Sequence, residues 1–137
     1  MDKALNYMAL ARKAGRIELG EEPVGAVARA QKARLVVVAS DASDHTWRRA
    51  KSFVAGTNQQ CIKVPHTKDE LGMSIGRTSL AIAAFTDPAL ALAFVKALGR
   101  EQDQEVLESL TKRTNRVQQR QAEARAHEKN KRMGRKK

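Results

Sequence analysis

Cys61 is the only cysteine in the chain of 137 residues. No intrachain disulfide can form, which fits a reducing compartment. Aromatic residues are scarce, at 4%, so any core must be aliphatic and Ala-rich. No apolar run approaches the roughly 20 residues of a membrane-spanning helix. None follows Met1-Asp2-Lys3 as it would in a secretory leader. These absences lead us to expect a soluble, cytoplasmic protein with no membrane partner.

The groupings that carry chemistry are missing too. No Ser/His/Asp set and no nucleotide-binding glycine loop occurs. Gly20-Glu21-Glu22 lacks the GK[ST] ending of a phosphate loop, and its two glutamates would repel phosphate. His45, His66 and His127 are scattered at spacings that suit no metal, and they read as surface residues. Asp41, Ser43 and Asp44 follow an apolar run and could be imagined as catalytic or Mg²⁺-binding. Their ordinary role is helix capping. We expect no enzyme activity, no metal, no cofactor and no small-molecule substrate.

Acidic residues are outnumbered, 15 against 26 Lys/Arg, for a net charge of +11 and a pI of about 10.3. An excess of this size calls for an anionic partner: nucleic acid first, an acidic membrane surface second. The charge is uneven. Residues 111–137 hold 11 Lys/Arg and 2 Glu, a net of +9, which leaves +2 for residues 1–110. That basic stretch lacks the Leu/Phe/Trp face of an interfacial helix. Its cations, Lys112, Arg113, Arg116, Arg120, Arg125, Lys129, Lys131, Arg132, Arg135, Lys136 and Lys137, are candidates for phosphate contacts that release counterions.

Against these absences, hydrophobic residues make up 42% of the chain, and their pattern alternates between helix and strand periods. Asp2 caps a first helix to about Ala14, with Leu5, Met8 and Ala9 on one stripe. Lys13 and Gly15 stop it. Ile17 and Leu19 alternate with Arg16 and Glu18 as a short strand. Gly20 opens a second helix, where Glu21 and Glu22 suit the positive end and Pro23 needs no intrahelical acceptor. Leu35 to Ala39 is apolar throughout, as a strand covered on both faces must be.

After the polar loop at Ser40 to Asp44, a third helix turns Trp47, Ala50 and Val54 inward and Arg48, Arg49 and Lys51 outward. Cys61 to Val64 is a short strand. Thr67 and Glu70 form a capping box for a helix kept short by Gly72 and Gly76. Gly76-Arg77-Thr78-Ser79 enters a strand at Leu80 to Phe85. Asp87-Pro88 starts a last helix, which Gly99 ends. This alternation predicts an α/β fold: a three-layer α/β/α sandwich with a small mixed sheet of about four strands. The domain spans residues 1–99. Residues 100–137 form a basic, solvated tail compatible with a helix.

An ordered series of short matches spans about residues 3–98. Ala9-Leu10-Ala11-Arg12-Lys13-Ala14-Gly15 comes first, then Gly20-Glu21-Glu22, Ala26-Val27, Ala33 to Ala39 and Asp41-Ala42-Ser43. Glu70-Leu71-Gly72, Ile75-Gly76 and Thr86-Asp87 follow. The series resembles the L-seven-Ae / L-thirty-e family of kink-turn RNA-binding ribosomal proteins, nearest its small bacterial branch.

The resemblance implies a three-layer fold that docks on bent, structured RNA without catalysis. In that family the loop and helix start after the first strand enter the groove at tandem G·A pairs. The loop before the last strand packs on the flipped nucleotides. Carried over, the first contact falls on Gly20, Glu21 and Glu22, and the second on Gly76, Arg77, Thr78 and Ser79. The archaeal signature Gly-x-Asn-Glu-x-x-Lys reads here Gly20-Glu21-Glu22-Pro23-Val24-Gly25-Ala26, so an Asn, a Glu and a Lys have become Glu22, Pro23 and Ala26.

The partner expected from the resemblance is RNA, ribosomal RNA and the ribosome among the possibilities. Two alternatives stay open. One is a ribosome- or RNA-associated factor bound by its tail without regard to shape. The other is a protein-interaction module of the translation or transcription machinery.

Overall fold

The computed structural model describes residues 2–135, with side chains through residue 127. Helices and strands alternate: α1 (Lys3–Ala14), β1 (Ile17–Leu19), α2 (Glu21–Arg29), β2 (Leu35–Val38), α3 (Asp44–Val54), β3 (Gln60–Lys63), α4 (Lys68–Ser74), β4 (Ile82–Phe85) and α5 (Pro88–Leu98). A short 3₁₀ turn at Glu101–Asp103 then leads into α6 (Gln104–Arg135). The local signals act as expected. Asp2, Ser43 and Asp87 cap α1, α3 and α5 through their side chains, and Thr67 and Glu70 form the complete capping box of α4.

The four strands form one mixed sheet in the order β1-β4-β2-β3. β2 and β3 are parallel, and β4 runs antiparallel to both β1 and β2. The central strand β2 is fully buried, because helices cover both faces. Val36, Val38, Ile82 and Ala84 face α2 and α3, in a cluster with Val24, Ala28 and Ala50. Leu35, Val37, Ala83 and Phe85 face the other way, toward α1, α4, α5 and α6. The period of two along each strand thus serves two cores. Phe85 and Phe94, with ring centroids 5.1 Å apart, fill the larger one.

Several boundaries differ from the sequence reading. β4 begins at Ile82 rather than Leu80, because the Leu80 N–H bonds to the Lys68 carbonyl at 2.9 Å. His66 is buried, not at the surface; its Nε2 lies 3.1 Å from Asp2 Oδ2, a partner 64 positions away in the chain. That hydrogen bond holds the Asp2 carboxyl below its ordinary range. His45 and His127 are exposed as expected.

Beyond Gly99 the chain is still part of the body. Arg100 pairs with the buried Asp103 at 2.8 Å and donates to the Lys63 carbonyl at 2.9 Å. Leu110 is fully buried, and Val106 and Leu107 pack on the same core. The basic segment is helical throughout its described length. Its first turns lie along α5, and from residue 118 through His127 every residue is exposed.

Candidate nucleic-acid interface

Two of the loops singled out in the sequence meet at one end of the sheet. β1, β2 and β3 all finish there, and antiparallel β4 begins there. The Gly20 N–H donates to the Ile82 carbonyl at 3.0 Å, which ties the start of α2 to the end of loop 76–81. The Ala39 N–H reaches the Ala81 carbonyl at 2.9 Å, and the Ser40 N–H reaches the His66 carbonyl at 2.9 Å. One rim thus gathers Gly20, Glu21 and Glu22 with Gly76, Arg77, Thr78 and Ser79, and the last four are all exposed.

Gly20 has φ +95° and ψ 162°, a conformation that favours glycine, and it contributes no side-chain cap. Pro23 stands in the first turn, where its missing N–H breaks no helical bond. The Val24 N–H closes the turn on the Gly20 carbonyl at 3.0 Å. Among the described bonds, the Glu21 and Glu22 N–H groups have no protein acceptor. Glu21 forms an ion pair with Arg49 of α3, so the first carboxylate of the helix is partly neutralised. Glu22 is exposed and forms no ion pair among the described residues. The outcome is a rim with two open donors, one free carboxylate acceptor and the Arg77 guanidinium.

The second loop depends on Gly72. A Cβ there would lie 2.6 Å from Ser79 N, 2.8 Å from Ser79 Cα and 2.9 Å from the Arg77 carbonyl oxygen. These are backbone atoms that cannot swing aside. The Arg77 N–H also bonds back to the Gly72 carbonyl at 2.8 Å. Gly72→Ala is therefore expected to cost about 1–3 kcal/mol by overpacking and to displace residues 77–79. Thermal melting and the amide resonances of Arg77 to Ser79 check both effects.

The other candidates resolve as follows. Ser43 caps α3, whereas Asp41 accepts from the Lys68 N–H at 2.8 Å, in the first turn of the helix that Thr67 caps. Asp44 is the first residue of α3. Among the described residues no group of three or more His, Cys, Asp or Glu side chains is placed to hold a metal ion. Cys61 is half-buried in β3, and burial pushes its thiol up to about 12, away from nucleophilic use.

The cations of the tail lie elsewhere. α6 starts near the C-terminal end of β3, where Arg100 meets Lys63, and runs back along it. Ser109 meets Gln60 at 3.3 Å, and Arg113 donates to the Asn58 carbonyl. Lys112, Arg113, Arg116, Arg120 and Arg125 therefore approach or pass the sheet end opposite the Gly20 and Gly76 loops. Lys129, Lys131, Arg132 and Arg135 continue that helix beyond the described side chains, and Lys136 and Lys137 lie outside the described residues. From Gln121 to Arg135 the helix extends roughly 22 Å at 1.5 Å per residue. The two sets of candidate residues are at opposite poles. Sequence reading gave no sign of this, because it depends on strand direction.

Sequence reading also passed over Arg34. It sits in the turn before β2, and its Nε is buried without a hydrogen-bond partner among the described residues. A single arginine in a turn carries no pattern; only the arrival of α6 beside it makes it notable.

No family model matches the chain. Over 75 residues it is 35% identical to the RNA-binding protein YlxQ of Enterococcus faecium, a match that covers 55% of this chain and 72% of that protein. Among solved structures, a Bacillus halodurans protein of unknown function superposes with a TM-score of 0.68 at 22% identity, over 73% of this chain and all of that one. The Giardia lamblia 15.5kD RNA binding protein superposes with a TM-score of 0.59 at 18% identity, over 79% of this chain and 87% of that one. At these identities the two structures bear on the fold alone.

Proposed function

The chain belongs to the YlxQ family of RNA-binding proteins, and on that premise we propose that it binds structured, kink-turn-like RNA without catalysing a reaction. The contacts assigned to shape are Gly20, Glu21 and Glu22 at the start of α2, with Gly76, Arg77, Thr78 and Ser79 in the loop before β4. The contacts assigned to charge are the cations of α6. Ribosomal RNA, met in the cytoplasm, is the natural substrate class for such a protein.

The single observation that supports this reading is the bond between the Gly20 N–H and the Ile82 carbonyl. It joins two loops, far apart in sequence, into one rim. A rim of that kind suits a sharply bent helix, whose two arms present a groove and flipped bases close together. The Glu21 and Glu22 N–H groups can meet base or sugar oxygens. The Glu22 carboxylate can accept from base amino groups, as a carboxylate does from cytosine N4. Arg77 can pair with a phosphate. Tighter binding to the bent form than to the extended form shifts the RNA toward the bend, and only that difference in affinity does so.

The test is binding of the full chain to a kink-turn RNA and to the same RNA with its G·A pairs repaired to Watson–Crick pairs. We expect a preference of at least about tenfold for the kinked RNA, equivalent to roughly 1.4 kcal/mol. Equal affinities would instead favour a factor held by its charge alone. Weak binding of both, with saturable binding to a protein of the translation machinery, would favour an interaction module.

A further inference from the structure

The pole opposite the Gly20 and Gly76 loops carries a built cleft. It has a volume of about 240 Å³ and is lined by Gln31, Arg34, Asn58 and Gln59 from two turns of the body and by Arg113, Arg116, Val117 and Arg120 from α6. Four arginines from two separate parts of the chain thus line one cavity. Among the described residues no carboxylate lines it, and none forms an ion pair with any of the four. Of the acids on α6, Glu105 and Glu108 line an adjoining depression that shares Arg113 and Arg116 with the cleft, and Glu123, one turn past Arg120, accepts from Gln119.

Like charges brought together without a paired carboxylate raise the energy of the folded chain unless an anion joins them. The cost is visible at two atoms. Arg34 Nε is buried with no acceptor among the described residues. Burial first, and then the nearby charges of Arg34 and Arg116, hold the Arg113 guanidinium below its ordinary value.

The walls of the cleft are fixed. The buried Gln59 side chain accepts from the Ala33 N–H at 3.0 Å and donates to the Ala28 carbonyl at 3.1 Å, locking the turn that carries Arg34. Gln31 takes a left-handed conformation, φ 56°, to make that turn. Arg113 is anchored on the Asn58 carbonyl. Arginine forks held in place lose little freedom when they bind, and their geometry matches phosphate oxygens.

We propose that this cleft is a phosphate-binding site, which takes a backbone phosphodiester of RNA at the pole opposite the shape-reading loops. The assignment to RNA rests on the function proposed above; the assignment to phosphate does not. A single RNA would then touch the protein at both poles, or the two poles would hold separate segments of a larger fold.

The test compares the full chain with Arg34→Gln, Arg34→Lys, Arg116→Gln and the control Arg12→Gln, which removes one exposed charge from α1. Affinity for a plain RNA duplex is measured across salt. The expected result is about a five- to tenfold loss for Arg34→Gln and Arg116→Gln, with a salt slope less negative by about one. Arg34→Lys should fall between, and Arg12→Gln should change affinity less than about twofold. The ratio of kinked to plain RNA binding should stay constant throughout. If Arg34→Gln and Arg116→Gln match the control, the RNA assignment is overturned.

A second arm titrates the unmodified chain with orthophosphate and follows the arginine Nε–H resonances. A saturable shift at Arg34 is expected, and its absence overturns the phosphate site. A shift here combined with unchanged RNA binding in the variants means that the cleft holds free phosphate instead. If the unmodified chain binds neither RNA, the function proposed above has failed, and the orthophosphate arm alone decides the cleft.

Discussion

A chain ending at residue 120 is expected to bind a plain RNA duplex about ten- to a hundredfold more weakly than the full chain at roughly 100 mM salt. The removed segment, residues 121–137, holds seven Lys/Arg and two Glu. If about four of those cations meet phosphates, the salt slope should become less negative by roughly 3.6, at about 0.9 per duplex phosphate. The loss should shrink as salt rises, because released counterions are the driving force. The same deletion should leave the melting temperature almost unchanged, since residues 121–127 are all exposed and support no core. Binding isotherms at several salt concentrations, with a melting curve as control, measure both quantities. A deletion that left the slope intact would move the charge-based affinity back onto the body of the protein.

Leu110→Ala is expected to have the opposite profile, with a large loss of stability and little direct effect on charge. Leu110 is fully buried in the core that holds Phe85, Phe94 and Val95. Truncating such a residue removes its transfer energy and leaves a cavity, for about 2–5 kcal/mol. At about 4 °C per kcal/mol, between the values for smaller and larger domains, a fall in melting temperature of roughly 8–20 °C should result. Val117→Ala, half-buried and under one turn past Thr114, the last buried residue of α6 among those described, should cost under about 1 kcal/mol. Chemical denaturation of both variants checks the contrast. For the same reason a cut after residue 100 is a poor way to remove the tail's charge. It also removes Leu110, the buried Asp103 and the contacts of Val106 and Leu107.

These two expectations mark where the sequence was legible and where it was not. Punctuation carried the fold. Asp2, Gly15, Thr67 with Glu70, Asp87-Pro88 and Gly99 act locally, so they can be read without knowing what packs against them. The all-apolar run at Leu35 likewise announced a strand covered on both faces. Residues whose role depends on distant partners stayed silent. Leu110 lies in a segment too polar to suggest burial, and only the face it turns to α5 places it in the core. His66 is buried because Asp2 comes to meet it. Arg34 gains its meaning from Arg113, Arg116 and Arg120, some 80 positions later. That the Gly20 and Gly76 loops share a rim follows from β4 running antiparallel to β1, a direction the sequence does not encode locally.

The separation of the two poles frames the account. Shape is assigned to the rim at Gly20 and Gly76, and sequence-independent affinity to the far end of the body and to α6. Glu22 and Pro23 leave that rim fewer donors than a fully basic or amide-rich loop would have. On the proposed reading, affinity supplied from the other pole would offset this, because phosphate contacts carry no sequence information directly.

The most direct measurement is the ratio of affinities for a kink-turn RNA and its G·A-repaired counterpart, taken side by side for the full chain and for residues 1–120. Absolute affinities are expected to fall together while the ratio stays at or above about tenfold in both proteins. A ratio that drops to one when residues 121–137 are removed would contradict that expectation, since shape reading would then reside in the basic helix rather than in the rim.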